Sequence, residues 1–291
     1  MATNIKSDNI LLGHNQFYGV NHMSLEKGEE RRKYFENIKN VKEIVNFASS
    51  LGVRSMMLST HDNANSILSE ISSSMKMSYY PLLPYVRKYL NLYNQLGHFR
   101  LFLNIMQRST FKQKLIISGR MLNPFVSLVL KLVRDMIDIE LYPFRKKEVK
   151  AVFLHNIITD FLVSLDQDSI IQDFSLYMKK CGYKPAFCTL NLPPLVRKLD
   201  DLQIESPLIM SPFNKVGYQM SSSKEVCESV LRKNPKIKLI AMSTLAAGYL
   251  KPKEAYDYLF NELDNISGVV VGVSSKEHAK ETFTELQKYI K

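Results

Sequence analysis

Eight short apolar runs, separated by amphipathic or polar stretches, constrain the fold of this chain more than any other feature of its sequence. Each run is apolar throughout instead of alternating with polar residues, which is typical of strands covered on both faces. The runs span residues 10–12, 53–58, 77–83, 150–154, 185–190, 207–211, 237–242 and 269–273. Repeated strand–helix units predict a parallel sheet with right-handed crossovers, and eight of them predict a closed (β/α)8 TIM barrel.

Amphipathic stretches between the runs predict the helices of this barrel. They cover residues 40–51, 64–72, 169–181, 194–202, 223–232, 253–263 and 275–290. Ser274 with Glu277 predicts a capping box at the start of the final stretch. The alternative is an open doubly wound sheet, but no G-x-G-x-x-G motif follows the first run. We therefore expect residues 1–291 to form a single barrel domain.

Composition limits the class of protein. The chain is 45% apolar and contains only 11 Gly and 11 Pro, which excludes collagen-like, mucin-like and disordered proteins. The three cysteines, Cys181, Cys188 and Cys227, are odd in number and widely spaced, as in a reduced intracellular chain. The sequence shows neither a signal peptide nor the run of roughly 18 apolar residues that a spanning helix requires. These features predict a cytoplasmic protein without a transmembrane segment.

A basic segment interrupts the alternation between the third and fourth runs. Residues 87–150 carry 13 Lys or Arg against four acidic residues, so they hold +9 of the formal charge of +11. Within them, residues 101–117 and 125–141 predict helices, the second apolar on much of its surface. We expect residues 87–149 to form a helical insertion that covers the barrel mouth or makes a homo-oligomer contact. The alternatives are extra helical packing and a membrane-surface helix. A basic patch without a binding motif predicts no specific nucleic acid partner.

Polar side chains follow the predicted strands at their carboxyl ends, where the active sites of (β/α)8 barrels lie. Three of the six histidines, His14, His61 and His155, are among them. Because imidazole titrates near neutral pH, three histidines at one mouth favour acid–base chemistry. The other residues in these positions are Asn15, Thr60, Asp62, Tyr85, Arg87, Asn156, Asn191, Asn214, Lys215, Ser243, Thr244, Gly272, Ser274 and Ser275.

Four segments in the second half of the chain resemble the aldo-keto reductases in order and spacing. Residues 240–250 (IAMSTLAAGYL) resemble the seventh strand of that family, and residues 270–278 (VVGVSSKEH) resemble its eighth strand and its phosphate-binding helix start. Residues 152–156 (VFLHN) resemble the fourth strand with its active-site histidine. Residues 189–191 (TLN) resemble the segment whose asparagine holds the nicotinamide amide. The resemblance covers roughly residues 150–290.

This resemblance implies an oxidoreductase that uses NADP or NAD on a small carbonyl or alcohol substrate. The residues that it assigns to cofactor binding are Asn191, Ser243, Leu245, Gly272, Ser274, Ser275 and Lys276. The Gly-Val-Ser-Ser turn itself offers free N–H groups and the positive end of a helix dipole to a phosphate, next to Lys276. A plain helix cap is the alternative at this turn.

The first half of the chain departs from the catalytic residues of the family. The family has an aspartate and a tyrosine after the second strand, a lysine at the third and a histidine at the fourth. Here residues 59–65 contain no tyrosine and residues 81–84 no lysine, and Met242 replaces the aromatic residue that stacks on the nicotinamide. His155 is therefore the expected acid, assisted by His61, Asp62 or Tyr85.

A non-redox barrel enzyme stays open as the second class of function. It would be an isomerase or lyase of a phosphorylated or carboxylated small molecule, with His61 and His155 as acid and base. Lys215 would neutralise an anion or form a Schiff base. A metal-assisted version would use His14, His61, Asp62 and His155, but no H-x-H or H-E-x-x-H spacing supports it.

Overall fold

A closed parallel barrel with eight strand positions forms the centre of the computed structural model, which describes residues 7–20, 24–71, 75–84 and 128–290. The strands are β1 (Ile10–Leu12), β2 (Ser55–Ser59), β3 (Ser78–Leu83), β4 (Glu148–Val149), β5 (Val152–Leu154), β6 (Pro185–Cys188), β7 (Leu208–Pro212), β8 (Lys238–Met242) and β9 (Ile266–Val271). β4 and β5 share the fourth position, since both pair with β3. β1 pairs with β2 on one side and with β9 on the other, which closes the barrel. The predicted (β/α)8 TIM barrel is confirmed.

Helices surround the barrel on its outer side. They are α1 (Leu25–Glu36), α2 (Ile38–Ser50), α3 (Ala64–Glu70), α4 (Leu128–Leu141), α5 (Asn156–Ser164), α6 (Asp168–Lys180), α7 (Leu192–Asp201), α8 (Lys224–Lys233), α9 (Pro252–Asp257) and α10 (Lys276–Gln287). A π-helical turn, Tyr258–Glu262, extends α9. Within the described ranges, no helix is long and apolar enough to cross a membrane.

Two apolar layers hold the structure together. The smaller layer fills the barrel with side chains that alternate along the strands, among them Leu11, Met57, Tyr80 and Phe153. Alternate residues of the same strands face outward into a larger layer, where they pack against the helices. Because the interior is packed with side chains, the open space of such a barrel lies at its ends, and its chemistry lies at the carboxyl end.

The sequence does not predict α1 and α5. α1 is mostly charged, so its apolar stripe is weak. It is stabilised by a cap, in which Ser24 Oγ accepts a hydrogen bond from Lys27 N–H at 3.2 Å, and by ion pairs of Arg32 with Glu29 and Glu36, both at 2.7 Å. α5 has the opposite composition: its sequence, NIITDFLVS, is apolar and rich in β-branched residues, which favours a strand locally.

The predicted strands and helices otherwise agree with the structure to within a few residues. The largest difference is in β9, which spans Ile266–Val271 where the sequence predicts residues 269–273. The capping box predicted for α10 is wrong by one residue, because Ser275 and not Ser274 is the cap: its Oγ accepts a hydrogen bond from His278 N–H at 3.2 Å. Ser274 Oγ lies 3.2 Å from His278 Nδ1. Adjacent serines suit either position, and the extended backbone at Ser275 decides between them.

The described end of the basic segment is an ordinary barrel helix. Ile137 and Leu141 of α4 pack into the outer apolar layer, and Arg134 forms an ion pair with Asp173 of α6. This half of α4 is therefore the crossover helix between the third and fourth strand positions, and not the cover over the mouth that the sequence suggests. Residues 85–127, which include most of the predicted insertion and its expected subunit contact, lie outside the described residues.

Candidate active site

Three histidines from three strand ends form a cluster at the carboxyl end of the barrel. His155 directly follows β5 and, two residues beyond the interior side chain of Phe153, continues its inward alternation. His61 lies two residues after the end of β2 and four residues beyond Met57, whose side chain faces the interior. His14, the third member, follows β1, and electrostatic interactions with His155 and His61 both lower its pKa, so the three side chains lie close together. We call His14, His61 and His155 the histidine cluster.

His14 is a buried neutral imidazole. Burial lowers its pKa to about 3, although a hydrogen bond to the Met57 carbonyl opposes the shift. Its Nδ1 has no hydrogen-bond partner among the described residues. The ring N–H therefore belongs to Nε2, and Nδ1 is available as an acceptor at neutral pH.

His155 is a second neutral imidazole, and it also begins a helix. Burial lowers its pKa to about 4. Its Nδ1 accepts a hydrogen bond from Ile157 N–H at 3.2 Å, which makes the side chain the N-cap of α5. Because Nδ1 accepts, Nε2 carries the proton of the neutral ring. His155 therefore presents a hydrogen-bond donor and is uncharged at neutral pH.

Tyr18 joins the cluster, and the sequence does not predict it. Its ring stacks on His61 with centroids 4.4 Å apart and an angle of 16° between the planes, and its edge meets His14 at 5.3 Å. Tyr18 lies on a 3₁₀ turn, Asn15–Tyr18, that follows β1. Its only signal in the sequence is that it comes a few residues after a strand end.

The other predicted catalytic residues are less central. Asp62 lies exposed in the turn after β2, and His61 Nδ1 accepts a hydrogen bond from Asn63 N–H at 3.3 Å in that turn. Tyr85 lies outside the described residues. Lys215 is exposed and forms an ion pair with Glu254 at 2.9 Å, which raises its pKa. A Schiff-base lysine needs a lowered pKa, so this ion pair does not favour the Schiff-base role suggested for Lys215.

Asn191 lies in a turn whose backbone is held by the half-buried carboxyl group of Asp160. Asp160 of α5 accepts hydrogen bonds from Thr189 Oγ1 and, at 3.0 Å, from Leu190 N–H. Thr189 Oγ1 in turn accepts a hydrogen bond from Asn191 N–H at 2.8 Å. Burial raises the pKa of Asp160, and these hydrogen bonds oppose the shift. The turn leaves Asn191 exposed at the start of α7, where its side chain does not cap the helix.

The segment with Ser243 and Leu245 has an unusual backbone. Ser243, Ala246 and Ala247 have φ angles of 54°, 45° and 57°, in the left-handed region that non-glycine residues seldom adopt. Such conformations cluster at functional sites, where the surrounding structure holds them. Ser243 Oγ donates a hydrogen bond to Gln219 Oε1 at 3.0 Å, and Leu245 packs partly buried on the outer layer.

Gly272 lies where two strand ends approach closely. Gly13 N–H donates a hydrogen bond to the Val271 carbonyl at 2.8 Å, and a Cβ built on Gly13 would lie 3.2 Å from Gly272 N. A Cβ on Gly272 would lie 3.2 Å from Gln16 Cγ. These two glycines allow the segment after β1 to pack closely against the end of β9.

A cavity of about 420 Å³ lies beside the start of α10. It is lined by Glu30, Arg31, Tyr34 and Phe35 of α1, by Glu43 and Ile44 of α2, and by Ser274, Ser275, Lys276 and Glu277. Lys276 forms an ion pair with Glu43 at 3.2 Å, and Arg31 donates a hydrogen bond to Gln16 Oε1. We call this space the α10 cavity. Three of the predicted cofactor residues line it, together with Arg31, which the sequence does not predict.

The metal-assisted alternative receives no geometric support. Among residues 7–20, 24–71, 75–84 and 128–290, no group of three or more His, Cys, Asp or Glu side chains is arranged to hold a metal ion.

The fold is that of the aldo-keto reductases. A candidate aldo-keto reductase from Pseudomonas aeruginosa superposes with a TM-score of 0.62 at 10% identity, covering 97% of this chain and 91% of the other. An aldo-keto reductase from Bacillus halodurans in its holo form gives a TM-score of 0.54 at 10% identity, over 100% and 97% of the two chains. A candidate 2,5-diketo-D-gluconic acid reductase B gives 0.53 at 12% identity, over 98% and 86%. No family model and no curated protein matches the sequence.

The resemblance in residues 150–290 is thereby confirmed at the level of fold, and it extends to the first half of the chain. At identities of 10–12% the likeness concerns fold alone.

Proposed function

We propose that this protein is an NAD(P)-dependent oxidoreductase of the aldo-keto reductase type, acting on a small carbonyl or alcohol substrate. The observation that carries the proposal is the turn Asn15–Tyr18. At the start of this turn lies His14, a member of the histidine cluster, and Tyr18 at its end stacks on His61 of the same cluster. Between them, Gln16 lies against Gly272 and accepts a hydrogen bond from Arg31, which lines the α10 cavity. One turn thus connects the histidine cluster with the α10 cavity at the start of a helix.

The residues present fit a nicotinamide dinucleotide. Gly272 is exposed beside the turn Asn15–Tyr18 and has no side chain, so an extended ligand can pass over its backbone. The start of α10 offers N–H groups and the positive end of the helix dipole to a phosphate, with Lys276 and Arg31 beside it. In this proposal Asn191, Ser243 and Leu245 hold the nicotinamide end.

His155 has a defined role in the proposed reaction. A bound nicotinamide supplies or removes a hydride at the substrate carbon. The neutral His155 donates a hydrogen bond from Nε2 to the substrate oxygen, because Nδ1 is already occupied by Ile157 N–H. A fixed donor at an oxygen that gains negative charge stabilises the transition state without having to reorganise. Its uncharged state also leaves the mouth without a fixed positive charge at this position.

Cofactor binding is the direct test of the proposal. We expect the purified protein to enhance the fluorescence of NADPH or NADH in a saturable titration at micromolar concentrations. Removal of the cofactor by gel filtration should reverse the change. Absence of binding by both cofactors would contradict the redox function and favour the isomerase or lyase.

Charges in the α10 cavity are expected to tune NADPH affinity in opposite directions. Lys276→Glu should weaken binding about tenfold, because it places a negative charge beside the helix start. Glu43→Gln should strengthen binding, because it releases Lys276 from its ion pair. Lys280→Glu, an exposed change of equal charge on the same helix outside the cavity lining, is the control. Fluorescence titration at low salt measures all three, and equal affinities for Lys276→Glu and Glu43→Gln would show that Ser275 is only a helix cap.

The proposed location is the cytoplasm. No disulfide joins Cys181, Cys188 and Cys227 in the structure, which suits a reducing compartment. Non-reducing peptide mapping of the protein isolated from its cells would reveal a disulfide if this assignment were wrong.

A further inference from the structure

We propose that Tyr18 is the proton donor to the substrate oxygen, with His61 as its positioning residue. This inference rests on the proposed oxidoreductase function. When the carbonyl carbon gains a hydride from the nicotinamide, the carbonyl oxygen gains the phenolic proton of Tyr18, and the product is an alcohol. The tyrosinate that is left recovers a proton from water. In the oxidation direction the tyrosinate accepts the proton of the alcohol.

Two members of the histidine cluster, His14 and His155, are poor proton donors at neutral pH. Burial keeps His14 and His155 neutral at pH 7. A neutral imidazole donates a hydrogen bond from its single N–H, but it has no readily dissociated proton near neutral pH. These residues can therefore hold a substrate oxygen, but they do not complete its conversion to a hydroxyl group.

Tyr18 provides the missing chemistry at the same place. A phenol has one proton that is lost near pH 10, a range in which it can act as an acid towards an alkoxide. The ring of Tyr18 contacts two of the three histidines, through the stack on His61 and the edge contact with His14. Its hydroxyl lies 3.5 Å from the carbonyl oxygen of Ser59, the last residue of β2, so it is at the carboxyl end of the barrel.

The stack on His61 explains how Tyr18 is held. With the two rings nearly parallel at 16°, the imidazole covers the face of the phenol and fixes the plane in which the hydroxyl lies. His61 is in turn held by the hydrogen bond from Asn63 N–H to its Nδ1. Residues 59–65, which follow the second strand, contain no tyrosine, and Tyr18 supplies a phenol at the same end of the barrel.

A difference titration of tyrosinate absorbance tests this proposal without a known substrate. The absorbance of Tyr18→Phe is subtracted from that of the wild type across alkaline pH, with saturating NADP⁺ and then with NADPH. Because the oxidised nicotinamide ring is positive, a phenol beside it should ionise at a pH about one unit lower with NADP⁺ than with NADPH. Tyr142→Phe is the control, since Tyr142 is exposed after α4 and outside both sites, and its difference curve should be the same with both cofactors.

Activity provides the second readout. With para-nitrobenzaldehyde and glyceraldehyde as carbonyl probes, Tyr18→Phe should lower kcat/KM at least about 100-fold. The Kd for NADPH, measured by fluorescence titration, should stay within twofold of the wild-type value. At saturating NADPH, the pKa in the kcat/KM profile of the wild type for the carbonyl probe should equal that from its tyrosinate difference curve with NADPH.

Three results would overturn the proposal. Identical Tyr18 curves with NADP⁺ and NADPH would place the phenol away from the nicotinamide. If Tyr18→Phe keeps the activity of the wild type, another group donates the proton, and the proposed oxidoreductase function is not contradicted. Failure of the wild type to bind either cofactor would remove the oxidoreductase function, and the Tyr18 assignment with it.

Discussion

Replacing His155 with asparagine is expected to lower turnover about 100- to 1000-fold while leaving the fold intact, because it removes one donor to the developing oxyanion. Asparagine is among the best N-cap residues, so it keeps the hydrogen bond to Ile157 N–H that His155 makes at the start of α5. His155→Ala removes both functions, and we expect it to lose the same activity and about 1 kcal/mol of stability in addition.

Steady-state kinetics and thermal unfolding of the two variants separate the roles of His155. Equal activities with different thermal midpoints are the expected pattern. If His155→Asn reduces a carbonyl probe such as para-nitrobenzaldehyde at the wild-type rate, the imidazole does not contact the reacting oxygen and only caps the helix.

Mild acid is expected to destabilise the protein before its carboxylates are protonated. Burial lowers the pKa of His14 to about 3 and that of His155 to about 4, against about 6.5 in the unfolded chain. Between these values the unfolded chain binds more protons, so the free energy of unfolding falls as the pH falls below about 6.5. For the two residues together, the expected loss from pH 6.5 to pH 5 is about 3 kcal/mol.

Urea denaturation at several pH values checks this loss. His155→Asn should remove about half of the pH dependence in this range, since one of the two histidines with a lowered pKa is then absent. His278→Asn, which removes an exposed histidine of α10, is the control for histidine replacement. A wild-type stability that does not change between pH 6.5 and pH 5 would contradict the neutral state of both residues.

Much of the barrel is predictable because its signals are local. Each strand is a short run that must be apolar on both faces, and each of the predicted helices carries one apolar stripe. α1 and α5 are not predicted because their local signals are weak or misleading: α1 has too little apolar surface, and α5 has a strand-like composition. The position of His155 is also local, because it is the first residue after β5.

The sequence alone thus predicts the order of most strands and helices, and it predicts the strand ends that carry the histidine cluster. Only the tertiary structure determines which of these residues meet. The stack of Tyr18 on His61 joins residues 43 positions apart in the chain, and the pair of Lys276 with Glu43 joins residues 233 positions apart. No local pattern predicts such contacts, because they depend on closure of the barrel. When β1 pairs with β9, the turn after β1 comes to lie against Gly272 and the α10 cavity.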